Sequence, residues 1–265
     1  MTNKKLPISA IVVGLNEGHL LENCLKSIQF CDEIIYFDLG SIDKSLEISS
    51  LLCTEVVKHK LVPGCEWIHS EYLHKVKYDW VLIIDPDEIV KAELQSEIVK
   101  MFTNVELIPS NIGAIKVPEF YFFGKYKLNG TPWGGNKPRV FIVNRSGFDF
   151  LPVVHLGRQI KKDFEYIEIK FEQNNSIDHY WMQSYRQLIE KHRRYLINEG
   201  IARFQRGDRV KPIQILIAPF KQFIVSYFIM NGYRDNFTGI FLSIFWSWYQ
   251  TSALVKLYLE QCKNE

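Results

Sequence analysis

The run Trp80-Val81-Leu82-Ile83-Ile84, followed at once by Asp85-Pro86-Asp87-Glu88, constrains this chain more than any other stretch. Five bulky apolar residues without a polar break predict a strand buried on both faces, the kind found in parallel sheets. Pro86 has no N–H to give to a sheet ladder, so the strand should stop there. Three carboxylates then sit at the C-terminal end of a buried strand, the end at which open α/β sheets bind ligands. Carboxylates set this close repel one another unless a proton or a cation lies among them. Mg²⁺ or Mn²⁺ suits such a place, because it takes one or two carboxylates and completes its shell with water and substrate phosphates. A solvated acidic turn after a core strand is the alternative reading.

The residues before this run follow an alternating plan. Short β-branched or aromatic runs predict strands over 8–13, 33–38, 54–58 and 80–85. Apolar residues at helical spacing predict helices over 19–28, 44–52 and 68–76. That order implies a mostly parallel sheet covered by helices on both faces. Three loops should then share one rim: Asn16-Glu17, Asp38 to Asp43, and Asp85 to Glu88. Such a rim suits a phosphate-bearing ligand held through a metal, with Asp38 accepting hydrogen bonds from a base or ribose. Asp38 could equally be a turn residue bonded to its own backbone. No GxGxxG follows the first strand and no GxxxxGK[ST] occurs, so neither a dinucleotide fingerprint nor a P-loop is supported.

Composition narrows the partners. A formal net charge of +2 does not describe a general polyanion binder, and no nucleic acid is expected. The five cysteines are scattered without a CxxC pair, which favours free thiols in a reducing compartment. The first apolar run is too short for the core of a signal peptide. A cytoplasmic protein is expected.

Taken together, the three loops resemble the nucleotide-sugar domain of family-2 glycosyltransferases, the inverting GT-A type. Val12-Val13-Gly14-Leu15-Asn16-Glu17 is similar to that family's first-strand signature. Asp38-Leu39-Gly40-Ser41-Ile42-Asp43 resembles its Asp-x-Gly-Ser-x-Asp turn, and Ile84-Asp85-Pro86-Asp87-Glu88 its DxD motif. The bacterial subgroup that builds lipopolysaccharide core and related surface glycans matches further, through His179-Tyr180-Trp181, Lys191 to Tyr195, and Gly232-Tyr233-Arg234-Asp235 with Gly239. The resemblance implies that Asp38 contacts the uracil or ribose of the donor. It implies that Asp85 and Asp87 hold the metal and diphosphate, and that Asn16 and Glu17 line the nucleotide pocket. Arg139 is a candidate for pairing with phosphate, or is an exposed strand arginine. An inverting transfer also needs a general base. The segment ending Val153-Val154-His155-Leu156 resembles a Val-His-Glu element with leucine in place of the glutamate, which leaves His155, Asp149 and Glu119 as candidates. Residues 121–135, rich in glycine and aromatics, read as a mobile loop in which Trp133 either stacks on a sugar or packs.

Beyond residue 180 the character changes, so the expected domains are 1–180 and a helical region, 181–265. Residues 182–204 predict a helix with a basic face that includes Arg186, Lys191, His192 and Arg193. Residues 213–230 are apolar and aromatic, and Pro219 should kink or interrupt them. Residues 237–255 carry no charge, but serines and aromatics favour docking at a membrane interface over a span. The expected protein has a GT-A-type α/β domain with a C-terminal membrane-docking appendage, peripheral on the inner face of the cell membrane. It would use Mg²⁺ or Mn²⁺ to move a sugar from a nucleotide-sugar donor, UDP-linked, to a lipid-linked saccharide acceptor. A catalytically inactive nucleotide-sugar scaffold and a sugar-phosphate nucleotidyltransferase are the alternatives.

Overall fold

Residues 5–151 and 158–264 are described by a computed structural model. The first unit (Met1–Glu119 with Asn136–His179) holds most of the strands. In chain order its elements begin with β1 (Leu6–Gly14), α1 (Gly18–Ser27), β2 (Cys31–Asp38), α2 (Ser45–Leu52), β3 (Glu55–Lys58), α3 (Cys65–Tyr72) and β4 (Trp80–Ile84). Next come β5 (Glu88–Val90), α4 (Ala92–Thr103), β6 (Ile112–Val117) and β7 (Glu119–Phe123), whose Phe120 to Phe123 belong to the second unit. After β8 (Tyr126–Lys127) the chain returns with β9 (Arg139–Asn144), β10 (Phe148–Phe150), β11 (Arg158–Ile160), β12 (Glu165–Glu168) and β13 (Ile177–Met182).

Seven strands of the first unit form one sheet in the order β12-β6-β9-β4-β1-β2-β3. β1 runs parallel to β2 and β4, β2 to β3, and β12 to β6. β9 alone is reversed, lying antiparallel between β4 and β6. The sheet is therefore mostly parallel, as the alternating plan predicts. Successive side chains of a strand point to opposite faces. Ala10 and Val12 accordingly join one core layer with Leu21, Leu25 and Leu94, while Ile11 and Val13 join the other with Ile68 and Phe148. Every residue of β4 is buried, which is why that run carries no polar residue. Full burial of each such aliphatic side chain is worth about 1.5–3 kcal/mol.

The expected helix over 68–76 lies instead at Cys65–Tyr72, after an extended Gly64. It buries His69 at 1% exposure, against Phe150 at 5.0 Å between ring centroids. Burial, helped by the charge of Arg158, pushes the imidazole down to about 3 from 6.5. The folded protein thus holds His69 neutral while the unfolded chain protonates it near 6.5. Its contribution is complete above that pH and is lost as pH falls towards 3. The slope is about 1.4 kcal/mol per pH unit. Urea denaturation at pH 7.5 and 5.0 should therefore show the parent losing about 2 kcal/mol more than His69→Phe. Equal losses would show that His69 does not set the acid sensitivity.

The second unit joins Phe120–Gly135 to Tyr180–Glu265. Its first segment is not the loose loop expected over 121–135. Phe122 pairs with Lys127 across the β7–β8 hairpin. The following turn is pinned by Asp235, whose carboxylate accepts the N–H groups of Asn129 and Gly130, each at 2.7 Å. A Cβ on Gly130 would lie 2.1 Å from the Asn231 carbonyl oxygen, so only glycine fits there. Trp133 packs, stacking on Trp181 with centroids 4.6 Å apart.

The rest is helical: α5 (Tyr185–Gln205), α6 (Pro212–Ile224) extended by a π-helical turn (Val225–Ile229), a 3-10 turn (Gly232–Asp235) and α7 (Asn236–Asn264). Ser184 caps α5 by accepting the Gln187 N–H. Leu188, His192, Leu196 and Gly200 form the buried stripe of α5, so His192 is not on the basic face where the sequence reading puts it. Pro219 sits inside α6 without ending it. All five cysteines are unpaired.

Candidate active site

Strand register brings the three loops to one rim. Gly14 lies opposite Asp38, and Val12 opposite Ile84, so β1, β2 and β4 end side by side. Gly14 is required by crowding: a Cβ there would come within 2.6 Å of the Tyr36 hydroxyl and 3.0 Å of Pro86. The first two loops are stitched together. Asn16, in the left-handed region at φ 59°, donates its N–H to Ser41 Oγ at 3.0 Å and accepts the Ile42 N–H on Oδ1 at 2.8 Å. Glu17 donates its N–H to Ser45 Oγ, and Gly18 donates its own to Asp43 Oδ2. Burial opposes the charge of Asp43, but hydrogen bonds from Ser45 and Gly18 hold its carboxyl below the ordinary range. Asp38 is buried and accepts the N–H groups of Gly40 and Ser41 at 3.2 Å, the bonds of a turn aspartate.

The third loop opens onto a charged cluster. Glu88, fully buried, pairs through Oε1 with Arg139 and accepts the Asp85 N–H on Oε2 at 3.0 Å. Arg139 also donates to Glu119 Oε1 at 3.1 Å and to the Ile83 carbonyl at 3.0 Å. His179 lies opposite Glu88 in the β5–β13 pair. Its Nδ1 is 3.1 Å from Glu119 Oε1, and its Nε2 is 3.4 Å from Asp87 Oδ2. Burial would disfavour a charge on this ring, but hydrogen bonds to Asp87 and Glu119 outweigh it and raise the imidazole well above its ordinary value. Burial beside Asp85 pushes Glu88 up to about 8, with Arg139 pulling the other way. Burial also opposes ionisation of Glu119, yet Arg139 and His179 hold it down at about 2. Asp85 is held low too: burial raises it, and the charges of Arg139, Arg158 and His179 prevail.

Asp85, Asp87, Glu119 and Arg139 are therefore brought together. Arg139 is not an exposed strand arginine: its two terminal nitrogens donate to three protein oxygens, while its buried Nε–H has no protein partner among the described residues. Asp149 stands elsewhere, 43% exposed and 3.3 Å from Lys161. His155 lies outside the described residues. His179 is the residue that motif reading passes over as a site member. Its signal is chemical: a buried acidic strand start, Glu88, needs cations, and the sequence reading seeks none for it.

The oxygens left over fit a hard divalent cation. The Asp85 carboxylate has no hydrogen bond among the described residues, and Asp87 meets His179 through Oδ2. Asp87, Glu88 and His179 each offer a ligand atom within 4.8 Å of the others, although both Glu88 oxygens are already engaged.

No protein-family model matches the chain. It is similar over nearly its whole length to proteins described as uncharacterised glycosyltransferases. One from Rickettsia bellii is 24% identical over 265 residues, covering 94% of this chain and 85% of that protein. One from Rickettsia conorii is 24% identical over 280 residues, covering 99% and 94%. Among solved structures, glucosyl-3-phosphoglycerate synthase from Mycobacterium tuberculosis, in complex with Mg²⁺ and UDP, superposes with a TM-score of 0.44 at 18% identity, covering 71% of this chain and 74% of that one. This similarity spans both units, the first of which carries the mostly parallel α/β sheet.

Proposed function

We propose that the protein is a metal-dependent inverting glycosyltransferase that moves a sugar from a UDP-linked donor to a lipid-linked surface glycan of the lipopolysaccharide-core class. The observation that carries this reading is the shared rim, where β1, β2 and β4 deliver Asn16, Asp38 and Asp85 side by side. Asp38 and Asn16 line the nucleoside end, and Asp85 and Asp87 hold the cation at the diphosphate end. His179 would have to release its proton before its ring could join them. A divalent cation there neutralises the charge that develops on the departing nucleoside diphosphate. Arg139 and Glu119 act one layer behind, fixing Glu88 and His179 and through them the acidic loop. Glu119 is committed to that task, and Asp149 is paired to Lys161 at the surface. For deprotonation of the acceptor hydroxyl, the resemblance of Val153-Val154-His155-Leu156 to a Val-His-Glu element supports His155.

A thermal-shift panel of nucleotide sugars with and without Mn²⁺ tests the donor side. At a hundredfold excess over Kd, the matching UDP-sugar should raise Tm by about 5–10 °C, and only with the metal. Absence of a shift with every nucleotide sugar in the presence of Mn²⁺ would remove the reading. Release of UDP on addition of a lipid-linked saccharide would test the acceptor class.

A further inference from the structure

We infer that α6 and the turn after it form a membrane-docking surface that lies in the headgroup region of an anionic bilayer. This goes beyond the donor reading and does not depend on it. The stretch Pro212–Ile229 is long and apolar enough to cross a membrane, yet only 11% of it is buried. Its exposed apolar residues, Ile213, Leu216, Ile217, Phe220, Ile224 and Phe228, recur at three- and four-residue spacing and make one stripe. Leu216 and Phe220 are 71% and 74% exposed. The other side of α6 packs on α7. Ala218 and Ser226 are buried, Ser226 Oγ lies 2.9 Å from Ser243 Oγ, and Ser247 Oγ donates to the Pro219 carbonyl at 2.6 Å. Ile229, Tyr233 in the turn before α7, and Phe237 at the start of α7 are exposed as well.

Charge identifies the occupant. Between Arg209 and Leu259 the chain has one acidic residue, Asp235, and its carboxylate holds Asn129 and Gly130. Lys211, Lys221 and Arg234 flank the stripe, are exposed, and have no acidic partner among the described residues. Cations beside an apolar stripe complement anionic headgroups over acyl chains. A second copy of the chain would bring the same unpaired cations against each other. Lying in the interface fits better than spanning. Eighteen helical residues reach about 27 Å against a hydrocarbon core of about 30 Å. A span would also place Lys221 near mid-membrane and strip α6 from its packing on α7.

Co-sedimentation of the full-length protein with vesicles tests this. Binding is expected to phosphatidylcholine vesicles containing phosphatidylglycerol, to weaken in high salt, and to be released by alkaline carbonate. Leu216→Asp with Phe220→Asp should lower the bound-to-free ratio at least about tenfold. Lys211→Glu with Lys221→Glu should lower it on the anionic vesicles alone. Leu51→Asp, at an exposed residue of α2, should change nothing, and far-UV circular dichroism should show every variant folded. Failure of the parent to bind anionic vesicles would overturn the inference. So would resistance to carbonate, or a dimer in solution that the Leu216/Phe220 change dissociates. None of these outcomes touches the Mn²⁺-dependent shift, so the donor reading stands or falls separately.

Discussion

Asp87→Ala is expected to abolish the Mn²⁺-dependent part of the donor-induced thermal shift and to slow sugar transfer roughly a hundredfold to a thousandfold. Asp87 has few structural duties, since His179 is its one charged contact among the described residues. The variant should therefore fold, and a loss of metal response would be a loss of ligand. Asp87→Asn keeps the shape and removes the charge, so it should behave almost as badly. Isothermal titration of Mn²⁺ into the UDP-saturated protein gives a readout independent of turnover. An unchanged Mn²⁺ response in either variant would mean that the cation is held elsewhere.

Arg139→Met is expected to destabilise the first unit by about 3–5 kcal/mol. The substitution leaves Glu88 and Glu119, both nearly inaccessible, without the guanidinium they share. His179 remains as one counter-charge, which favours the lower end of that range. Arg139→Lys should recover part of the loss at most, because one ammonium cannot reach Glu88, Glu119 and the Ile83 carbonyl as a planar fork does. Urea denaturation measures both. A variant within about 0.5 kcal/mol of the parent would show that the cluster does not hold the acidic loop in place.

How far the sequence reveals this arrangement depends on how local each determinant is. The rim is legible because each loop is announced by the strand before it. Ile83-Ile84-Asp85-Pro86 states in four residues where a buried strand stops and what its end carries. The role of Arg139 is not legible, because its partners stand 51 and 20 positions away and only the sheet brings them together. His179 is hidden for the same reason. Asp87 meets it through the pairing of β5 with β13, and Glu119 through β7, the neighbour of β13 on its other side. Glycines and aromatics suggest looseness over 121–135, but the anchor, Asp235, lies 106 residues beyond Asn129. The uncharged run 237–255 draws attention as a membrane segment, yet Leu242, Phe245 and Tyr249 point inward, and the more exposed apolar helix is α6.

That bond from Asp235 back to Asn129 also bears on how the polypeptide can be made and cut. The second unit is assembled from two stretches separated by 44 intervening positions, 136–179. During synthesis the β7–β8 hairpin leaves the ribosome long before the helices that complete it exist. No single scission can then release either body whole: trimming after residue 179 strands the hairpin, and starting at 180 omits it.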